Sequence, residues 1–378
     1  KKVRFVKLTI ISHTPHYKNN GLILGWGPTV REINHLRSVF DKIYHVAPLY
    51  EGVHPDSFTE YDKQNIKFIP IMQYGGPGIK KKIDIILTFP SNLYTIHKFC
   101  KKTDWIQFRS PTSIGLYVLP YLKFFNKNKY WVKYAGNWNQ KKPPISYFLQ
   151  RIWLKYIAKE TKVTVNGKWE KQRKHIYSFE NPCFSKNELN KANFIKKTKI
   201  YSEKVKICFV GALEKEKGVH LLLDALGMSN QNHMIQKVYI VGDGNEKGKI
   251  ESSAKKLVGF EVKVTGPLSR EKLDQIYSQC HILILPSKSE GFPKVIAEAI
   301  SFGCVPIVTN VGSIGQYINE TNGVLLKNRS SYELEKAINF LLSDRALIRD
   351  LAQNSNKVAQ KFSFEQYNEK IKRLILNL

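Results

Sequence analysis

"HILILPSKSEGFPKVIAEAISFGCVPIVT" runs from His281 to Thr309. The unbroken apolar run 282–285 suits a strand covered on both faces. Pro286 closes it. Gly291 permits a tight turn and close approach of the backbone to a ligand. Pro293 stands where helices begin, the run 294–301 reads as a short helix, and Gly303 is placed to stop it. "VPIVT" (305–309) is the next apolar strand. Strand, turn, helix and strand in this order are a βαβ unit of a parallel sheet.

The same alternation extends in both directions. Strands are expected at 205–211, 237–242 and 261–266, and in the first half at 4–12, 43–49, 66–71, 104–110, 130–136 and 162–167. Helices are expected around 29–40, 79–100, 113–126, 146–159, 219–227, 246–257, 270–279, 294–302, 332–342 and 364–378. Two such series predict an α/β protein of two Rossmann-like domains with parallel sheets. The weakly patterned stretch 180–204 reads as the connection between them. Ligands of parallel sheets bind at the carboxyl ends of the strands. Gly211, Gly242 with Asp243, Gly266 and Glu290 all follow strands, so their loops are expected to face one cleft.

Glu290 falls in the loop after the strand, and Glu298 roughly one and a half turns into the helix. Free N–H groups and a partial positive charge at a helix start favour a bound phosphate. Two carboxylates around that point suit the neighbouring hydroxyls of a sugar and a ribose. The alternative is a pair of solvated glutamates on an ordinary strand–turn–helix.

The 378 residues are 42% hydrophobic and 12% aromatic, which excludes a disordered chain. A net charge of +29, from 60 basic and 31 acidic residues, implies an anionic partner: nucleic acid, an acidic membrane surface or a phosphorylated substrate. Five single cysteines without a C-x-x-C pair suggest neither a disulfide framework nor a zinc site, and point to reduced thiols in a reducing compartment. No run approaches the roughly 18 apolar residues of a membrane span, and no signal-like segment is read.

"EGFPKVIAEA" (290–299) resembles the E-x7-E signature of retaining glycosyltransferases of family 4, which have the GT-B fold. "FVGALEKEKGVHLLLDAL" (209–226), "YIVGDGNEKGKIE" (239–251) and "VTGPLSREKLDQIYSQCHILILPSKSEGFP" (264–293) are similar to successive segments of that family's C-terminal domain. "FSFEQYNEKI" (362–371) resembles its closing helix. The resemblance implies an N-terminal acceptor-binding domain over 1–185, a linker over 186–204, a nucleotide-sugar domain over 205–362 and a helix over 363–378 crossing back to the N-domain. It also implies roles. Glu290 would contact the transferred sugar together with the backbone of Gly291, Phe292 and Pro293, and Glu298 would hold the ribose. Lys217 would bind the diphosphate, with Lys294 a further cation. Gly211, Gly242, Asp243 and Gly266 would line the nucleotide pocket. A fixed cation at Lys217 stabilises the charge growing on the leaving phosphate, which asks for no divalent metal; no metal and no cofactor beyond a UDP- or GDP-sugar donor is expected. No D-x-D stands near these loops.

Three departures from the family pattern matter. Ala212 occupies a position where many members carry an arginine. "VKYAGNWN" (132–139) lacks the histidine that often faces the sugar, leaving Asn137 or Tyr134 for that place. "NNGLILGWGPTVREI" (19–33) offers Gly25 and Gly27 as a glycine loop before a helix but lacks the paired glycines. "YGGPGIKKK" (74–82) is a second, more basic candidate loop. His13 and His16 after the first strand either face the acceptor or are ordinary loop histidines.

Aromatic and basic residues mix in 117–134 and 145–160, where Phe148, Trp153 and Tyr156 accompany Arg151, Lys155 and Lys159. Either these aromatics are core, or the helices lie on an anionic membrane. The combined expectation is a retaining, metal-independent hexosyltransferase of cell-surface polysaccharide or lipopolysaccharide synthesis, cytoplasmic and peripheral at the inner face of the membrane, with a glycan or lipid-linked acceptor and no nucleic acid. The competing readings are a non-catalytic basic protein binding membrane or nucleic acid on the same scaffold, and a GT-B sugar-nucleotide epimerase.

Overall fold

The computed structural model describes residues 5–62, 65–75, 79–201 and 204–377. The chain divides into two compact units: Lys1–His54, Phe58–Glu180 and Glu365–Leu378 form the first, and Pro55–Ser57 with Asn181–Phe364 the second.

The first unit contains β1 (Lys7–Ile11), β2 (His16–Asn19), β3 (Leu22–Trp26), α1 (Gly27–His35), β4 (Lys42–Tyr50), β5 (Phe58–Glu60), β6 (Ile66–Ile71), α2 (Ile79–Cys100), β7 (Trp105–Ser110), α3 (Gly115–Phe124), β8 (Lys129–Tyr134), α4 (Ile145–Ile152), β9 (Lys162–Val165) and β10 (Ile176–Ser178). Its sheet runs β10-β9-β8-β7-β1-β4, with β6 parallel on β4. It is not purely parallel as expected: β2 and β3 form an antiparallel hairpin, and β3 pairs antiparallel with β5. The stretch expected to be a glycine loop before α1 is therefore this hairpin, turning at Asn20 and Gly21, both with positive φ. Short strands separated by a two-residue Asn-Gly turn are a hairpin signal, and the expected loop overlooked it. Of "YGGPGIKKK", residues 76–78 lie outside those described.

The second unit contains α5 (Lys186–Thr198), β11 (Val205–Val210), α6 (Val219–Met228), β12 (Ile235–Val241), α7 (Lys247–Ala254), β13 (Glu261–Thr265), α8 (Arg270–Gln279), β14 (Ile282–Leu285), α9 (Lys294–Ser301), β15 (Val305–Thr309), β16 (Val324–Leu326), α10 (Ser331–Ser343), α11 (Arg345–Asn354) and α12 (Asn356–Gln360). Its six strands are all parallel, in the order β13-β12-β11-β14-β15-β16. Counted from the first strand of the unit, this is the doubly wound order, and its topological switch point lies between β11 and β14. The expected linker 186–204 is not one. Ser185 and Glu188 close a capping box at the start of α5, and Leu189 and Ala192 of that helix are part of the second unit's core. A final helix α13 (Phe364–Lys370), continued by a π-helical turn (Ile371–Leu376), packs Tyr367, Ile371 and Ile375 against Leu8, Ile10, Val30 and Trp131 of the first unit.

Two buried polar constellations organise the first unit. Glu32 of α1 receives Arg109 of β7 at 2.9 Å and Lys133 of β8 at 2.5 Å, and its side chain is 0% exposed. The Lys133 ammonium also lies 4.6 Å from the centre of the Tyr367 ring. These contacts bind the sheet, α1 and α13 together through charge that is almost wholly withdrawn from water.

The second constellation is a closed circuit. The His16 Nδ1–H donates to the Thr14 carbonyl at 2.9 Å, which leaves Nε2 to accept from the Tyr61 hydroxyl at 2.6 Å. The tyrosine oxygen then accepts from His45 Nδ1–H. His45 Nε2 accepts from Ser12 at 2.7 Å, and the Ser12 oxygen accepts the Thr14 amide at 3.1 Å. With both histidines neutral, as their burial favours, these directions satisfy every bond of the circuit. Gly25 belongs to this arrangement: a Cβ there would stand 2.5 Å from the His16 ring.

Burial lowers the pKa of His16 to about 4, although its bonds with the Thr14 and Pro48 backbone oppose the shift. Burial, then His16 and Arg109, hold His45 well below the usual value. In the second unit His281 is lowered to about 4 by burial, partly opposed by its bond to the Ile200 carbonyl. Each is neutral when folded and titrates near 6.5 when unfolded. Below pH 6.5 the unfolded chain therefore binds protons that the folded chain refuses, and stability falls as pH falls from 6.5 towards 4. The urea midpoint should drop between pH 6.5 and 5, above the carboxylate range. A midpoint constant across that interval would overturn this account.

Candidate active site at the switch point of the second sheet

The loops after β11 and β14 flank the switch point, and the structure holds them together. The Lys288 amide donates to the Glu216 carbonyl at 2.8 Å. Arg329 donates from Nε to the Pro286 carbonyl and from Nη2 to the Lys215 carbonyl, both at 2.8 Å. Gly218 adopts φ +78°, and a Cβ there would stand 2.5 Å from the Pro286 oxygen. Only glycine accepts both that conformation and that approach.

This clamp brings two of the expected residues together. Lys217 Nζ lies 2.5 Å from Glu290 Oε1, with the lysine side chain 29% exposed and the glutamate 11%. An ammonium has three donors, so one bond to Glu290 leaves others for a phosphate oxygen. The Glu290–Pro293 turn is itself pinned from β15. Ser313 donates to the Gly291 carbonyl through its amide at 2.9 Å and its hydroxyl at 3.0 Å. Gly312, at φ +59°, lies so close that a Cβ would meet the Glu290 carbonyl at 1.9 Å. The Phe292 ring turns into the core, stacked on Phe362 at 4.5 Å and edge-on to Tyr317 at 4.9 Å. Its side chain anchors the turn and does not face a ligand, while its backbone stays in the turn. Pro293 caps α9 and Lys294 opens it.

Glu298 is 7% exposed on α9. Arg270 of α8 reaches its Oε1 at 2.6 Å, and the Tyr277 hydroxyl stands 3.4 Å from Oε2. Burial opposes the charge on Arg270, and the Glu298 and Asp274 carboxylates more than offset it. A carboxylate offers about four lone-pair directions, so Glu298 is oriented by Arg270 with acceptor capacity left over.

Gly211 and Gly242 end neighbouring strands. Gly242 has φ +146°, and a Cβ there would fall 1.9 Å from the Gly211 carbonyl. Asp243 is exposed, accepts the Gly244 amide at 3.0 Å and passes its own carbonyl to the Leu213 amide at 2.8 Å. Gly266 follows β13 with nothing packed where a Cβ would be. Ala212 is exposed beside them. In the first unit, Gly25 lies in β3 and Gly27 begins α1, so neither forms the glycine loop expected of them. Asn137 follows β8 and accepts the Asn139 amide at 3.1 Å. His16 is buried in its circuit, while His13, between the two locked residues Ser12 and Thr14, is exposed.

Arg270, Arg329 and Gly312 were missed by the sequence reading. Each acts through a contact across 28, 43 or 22 positions, with Glu298, Pro286 and Glu290 respectively. No local pattern announces such partners. Among the described residues no three His, Cys, Asp or Glu side chains gather as a metal site.

Residues 190–358 match the family profile described as glycosyl transferases group 1. The matched residues all lie within the second unit. The chain is 31% identical over 159 residues to an uncharacterized glycosyltransferase of Methanocaldococcus jannaschii, covering 42% of the chain and 44% of the relative. A Campylobacter jejuni enzyme, GalNAc-alpha-(1->4)-GalNAc-alpha-(1->3)-diNAcBac-PP-undecaprenol alpha-1,4-N-acetyl-D-galactosaminyltransferase, is 24% identical over 241 residues, 62% of the chain and 64% of that protein. The chain thus spans about half the length of the curated relatives it matches. Among solved structures, HepE of Anabaena in complex with UDP and glucose superposes with a TM-score of 0.73 at 16% identity, covering 99% of this chain and all of that one. The chain therefore has the two-domain α/β architecture of GT-B structures, as expected from its two strand–helix series.

Gly312→Ala would force both a disfavoured φ and a backbone collision, so it should lower the melting temperature of the second unit and displace the Glu290 turn; hydrogen exchange across 287–293 reads the displacement. Arg270→Ala leaves Glu298 buried without its partner and should cost about 3–5 kcal/mol. Equal unfolding midpoints for wild type and Arg270→Ala would refute the role given to that pair.

Proposed function

We propose that the chain is a retaining glycosyltransferase that moves a sugar from a UDP- or GDP-sugar to a glycan or lipid-linked acceptor in cell-surface polysaccharide synthesis, without a divalent metal. The observation that carries this reading is the Lys217–Glu290 pair at the switch point, 2.5 Å apart and clamped between two strand ends. In this reading Lys217 neutralises charge on a leaving diphosphate, and Glu290 with the 291–293 backbone holds the sugar being transferred. In the same reading Glu298, oriented by Arg270, holds the ribose. Charge that appears only in the transition state is where a fixed cation accelerates reaction. The acceptor hydroxyl attacks from the leaving-group side and the phosphate oxygen takes its proton, so no protein nucleophile is assigned. The UDP and glucose named with HepE, and the undecaprenol-linked acceptor named with the Campylobacter enzyme, support these substrate classes.

An anionic membrane surface is proposed as the place where the acceptor is met. α2, α3 and the Trp153–Ile157 turn that continues α4 share one core, which puts them on one face of the first sheet. Trp131 and Tyr134 of the aromatic stretches are buried, and Trp153 packs against the core. Ile86 and Leu87 on α2, Phe124 and Phe125 at the end of α3, and Ile145, Phe148 and Leu149 on α4 are exposed. Exposed Lys127, Lys141, Lys142 and Lys159 lie close to them in the chain. Apolar side chains with lysines around them fit an anionic interface. No helix among the described residues is long and apolar enough to cross a membrane.

Calorimetry with UDP-, GDP-, ADP- and dTDP-sugars, with and without EDTA, tests the donor site. Binding of one nucleotide class unaffected by EDTA and lost in Glu298→Ala is expected, and Lys217→Ala should slow donor hydrolysis by about 100- to 1000-fold. A folded protein that binds no donor would refute the reading. Flotation with phosphatidylglycerol vesicles should capture the protein at low salt and release it at high salt; no capture at low salt would remove the membrane from the proposal.

A further inference from the structure

The first sheet has a switch point of its own. From β1 the chain proceeds outward to β4 and β6, then returns to lay β7, β8 and β9 on the other side of β1. The order therefore reverses between β1 and β7, and a ligand crevice is expected outside the carboxyl ends of those two strands. Both loops at this point are held from within the first unit. After β1, Ser12 and Thr14 are buried members of the histidine–tyrosine circuit. After β7, Gln150 of α4 accepts the Ser110 hydroxyl at 2.9 Å and the Thr112 amide at 3.3 Å, and donates to the Thr112 carbonyl at 2.9 Å. A Cβ on Gly115, where α3 begins, would stand 2.1 Å from the Gln150 oxygen, so the glutamine is closely packed. Asn137 follows β8, the next strand along the same edge.

Of the two histidines after β1, His16 is closed in its circuit, and His13 is the one left to a ligand. His13 is exposed between Ser12 and Thr14. The protein around it, and then the Arg109 charge, lower its pKa to about 4, so the ring is neutral at neutral pH. Arg109 itself is already paired with Glu32 at 2.9 Å. The hairpin β2–β3 stands between β1 and α1, so no helix begins directly after β1 to draw an anion. A neutral imidazole offers one donor and one acceptor. A phosphate or carboxylate only accepts, and would favour the protonated ring that this position disfavours. An apolar group would use neither nitrogen. A sugar hydroxyl donates to the bare nitrogen or accepts from the N–H, with no change of charge.

We propose that the β1–β7 crevice of the first unit binds an uncharged saccharide, with His13 hydrogen-bonded to one of its hydroxyls. Taken with the transferase reading, on which this step rests, the saccharide is the acceptor. It presents a sugar hydroxyl, and not a phosphate, to the first unit.

Carbon–proton NMR on the full chain with labelled histidine tests this, using methyl α-glucoside, methyl α-galactoside, methyl α-mannoside, N-acetylgalactosamine and glucose 6-phosphate as probes. The His13 signal is identified by its loss in His13→Gln. At least one uncharged sugar should shift that signal at neutral pH. His13→Ala should weaken the affinity for that sugar about tenfold, the size of one hydrogen bond, with the melting temperature unchanged. His13→Gln keeps a donor and an acceptor and should weaken it less. The proposal is overturned if glucose 6-phosphate alone, or no probe, moves the His13 signal, if His13→Ala binds as wild type does, or if the ring titrates near 6.5. UDP-sugar binding is followed in the same samples. Donor bound with no sugar at His13 would remove this crevice alone; sugar at His13 with no donor bound by any test would remove the transferase reading alone.

Discussion

Everything at the candidate site depends on one approach of backbone to backbone, that of the 215–218 turn against Pro286. A parallel sheet separates its strands by about 4.8 Å, and the switch point opens a crevice because the chain leaves β11 and β14 in opposite directions. Loops in such a crevice have no ladder to hold them. Here Gly218 removes the side chain that would keep them apart, the Lys288 amide bonds across, and Arg329 donates to carbonyls on both sides. The Lys217–Glu290 pair follows from that clamp. A lysine on a free turn would give up much side-chain entropy to hold one position. On a turn fixed at both ends, little more than its own rotamers remain to be ordered.

The two halves of the protein use buried charge differently. In the second unit, Arg270 orients Glu298 beside a helix start, at the edge of the sheet where ligands are received. In the first, Glu32 is enclosed with Arg109 and Lys133 between the sheet and α1, and the four side chains of the Ser12–His45–Tyr61–His16 circuit saturate one another. Taking such groups from water is costly unless each bond is made. The result is directional: these contacts fix which helix face meets which strand, where an apolar core tolerates several packings. The exposed His13 is held between two members of that circuit, Ser12 and Thr14, just after β1.

The parallel core was legible because its signal is local. Continuous apolar runs and the glycines and prolines that end them mark β11, β12, β14 and β15 within a residue or two. Elsewhere local signals were present and outweighed. "SKNE" at 185–188 is a capping box, but the lysines and asparagines after it obscure the apolar stripe of Leu189 and Ala192, and the helix was taken for a linker. The Asn-Gly turn at 20–21 marks a hairpin, but the glycines beyond it suggested a phosphate loop. Gly25 is small because His16 fills the space beside it, a reason that no spacing in the sequence contains.

The sequence by itself determined the period of each element, the strand ends that carry glycine, and the two glutamates on either side of a turn. It determined these because hydrophobic spacing and backbone freedom are properties of neighbouring residues. The tertiary structure alone decided which cation meets which carboxylate. Lys217 found Glu290 and Arg270 found Glu298 across separations of 73 and 28 residues, and Phe292 turned inward to Phe362. In a chain with 60 basic residues, composition offers each carboxylate many partners. Only the order of strands in the sheet brings one of them within reach, because a charge in partly buried surroundings is held by the nearest opposite charge and not by the net charge of the chain.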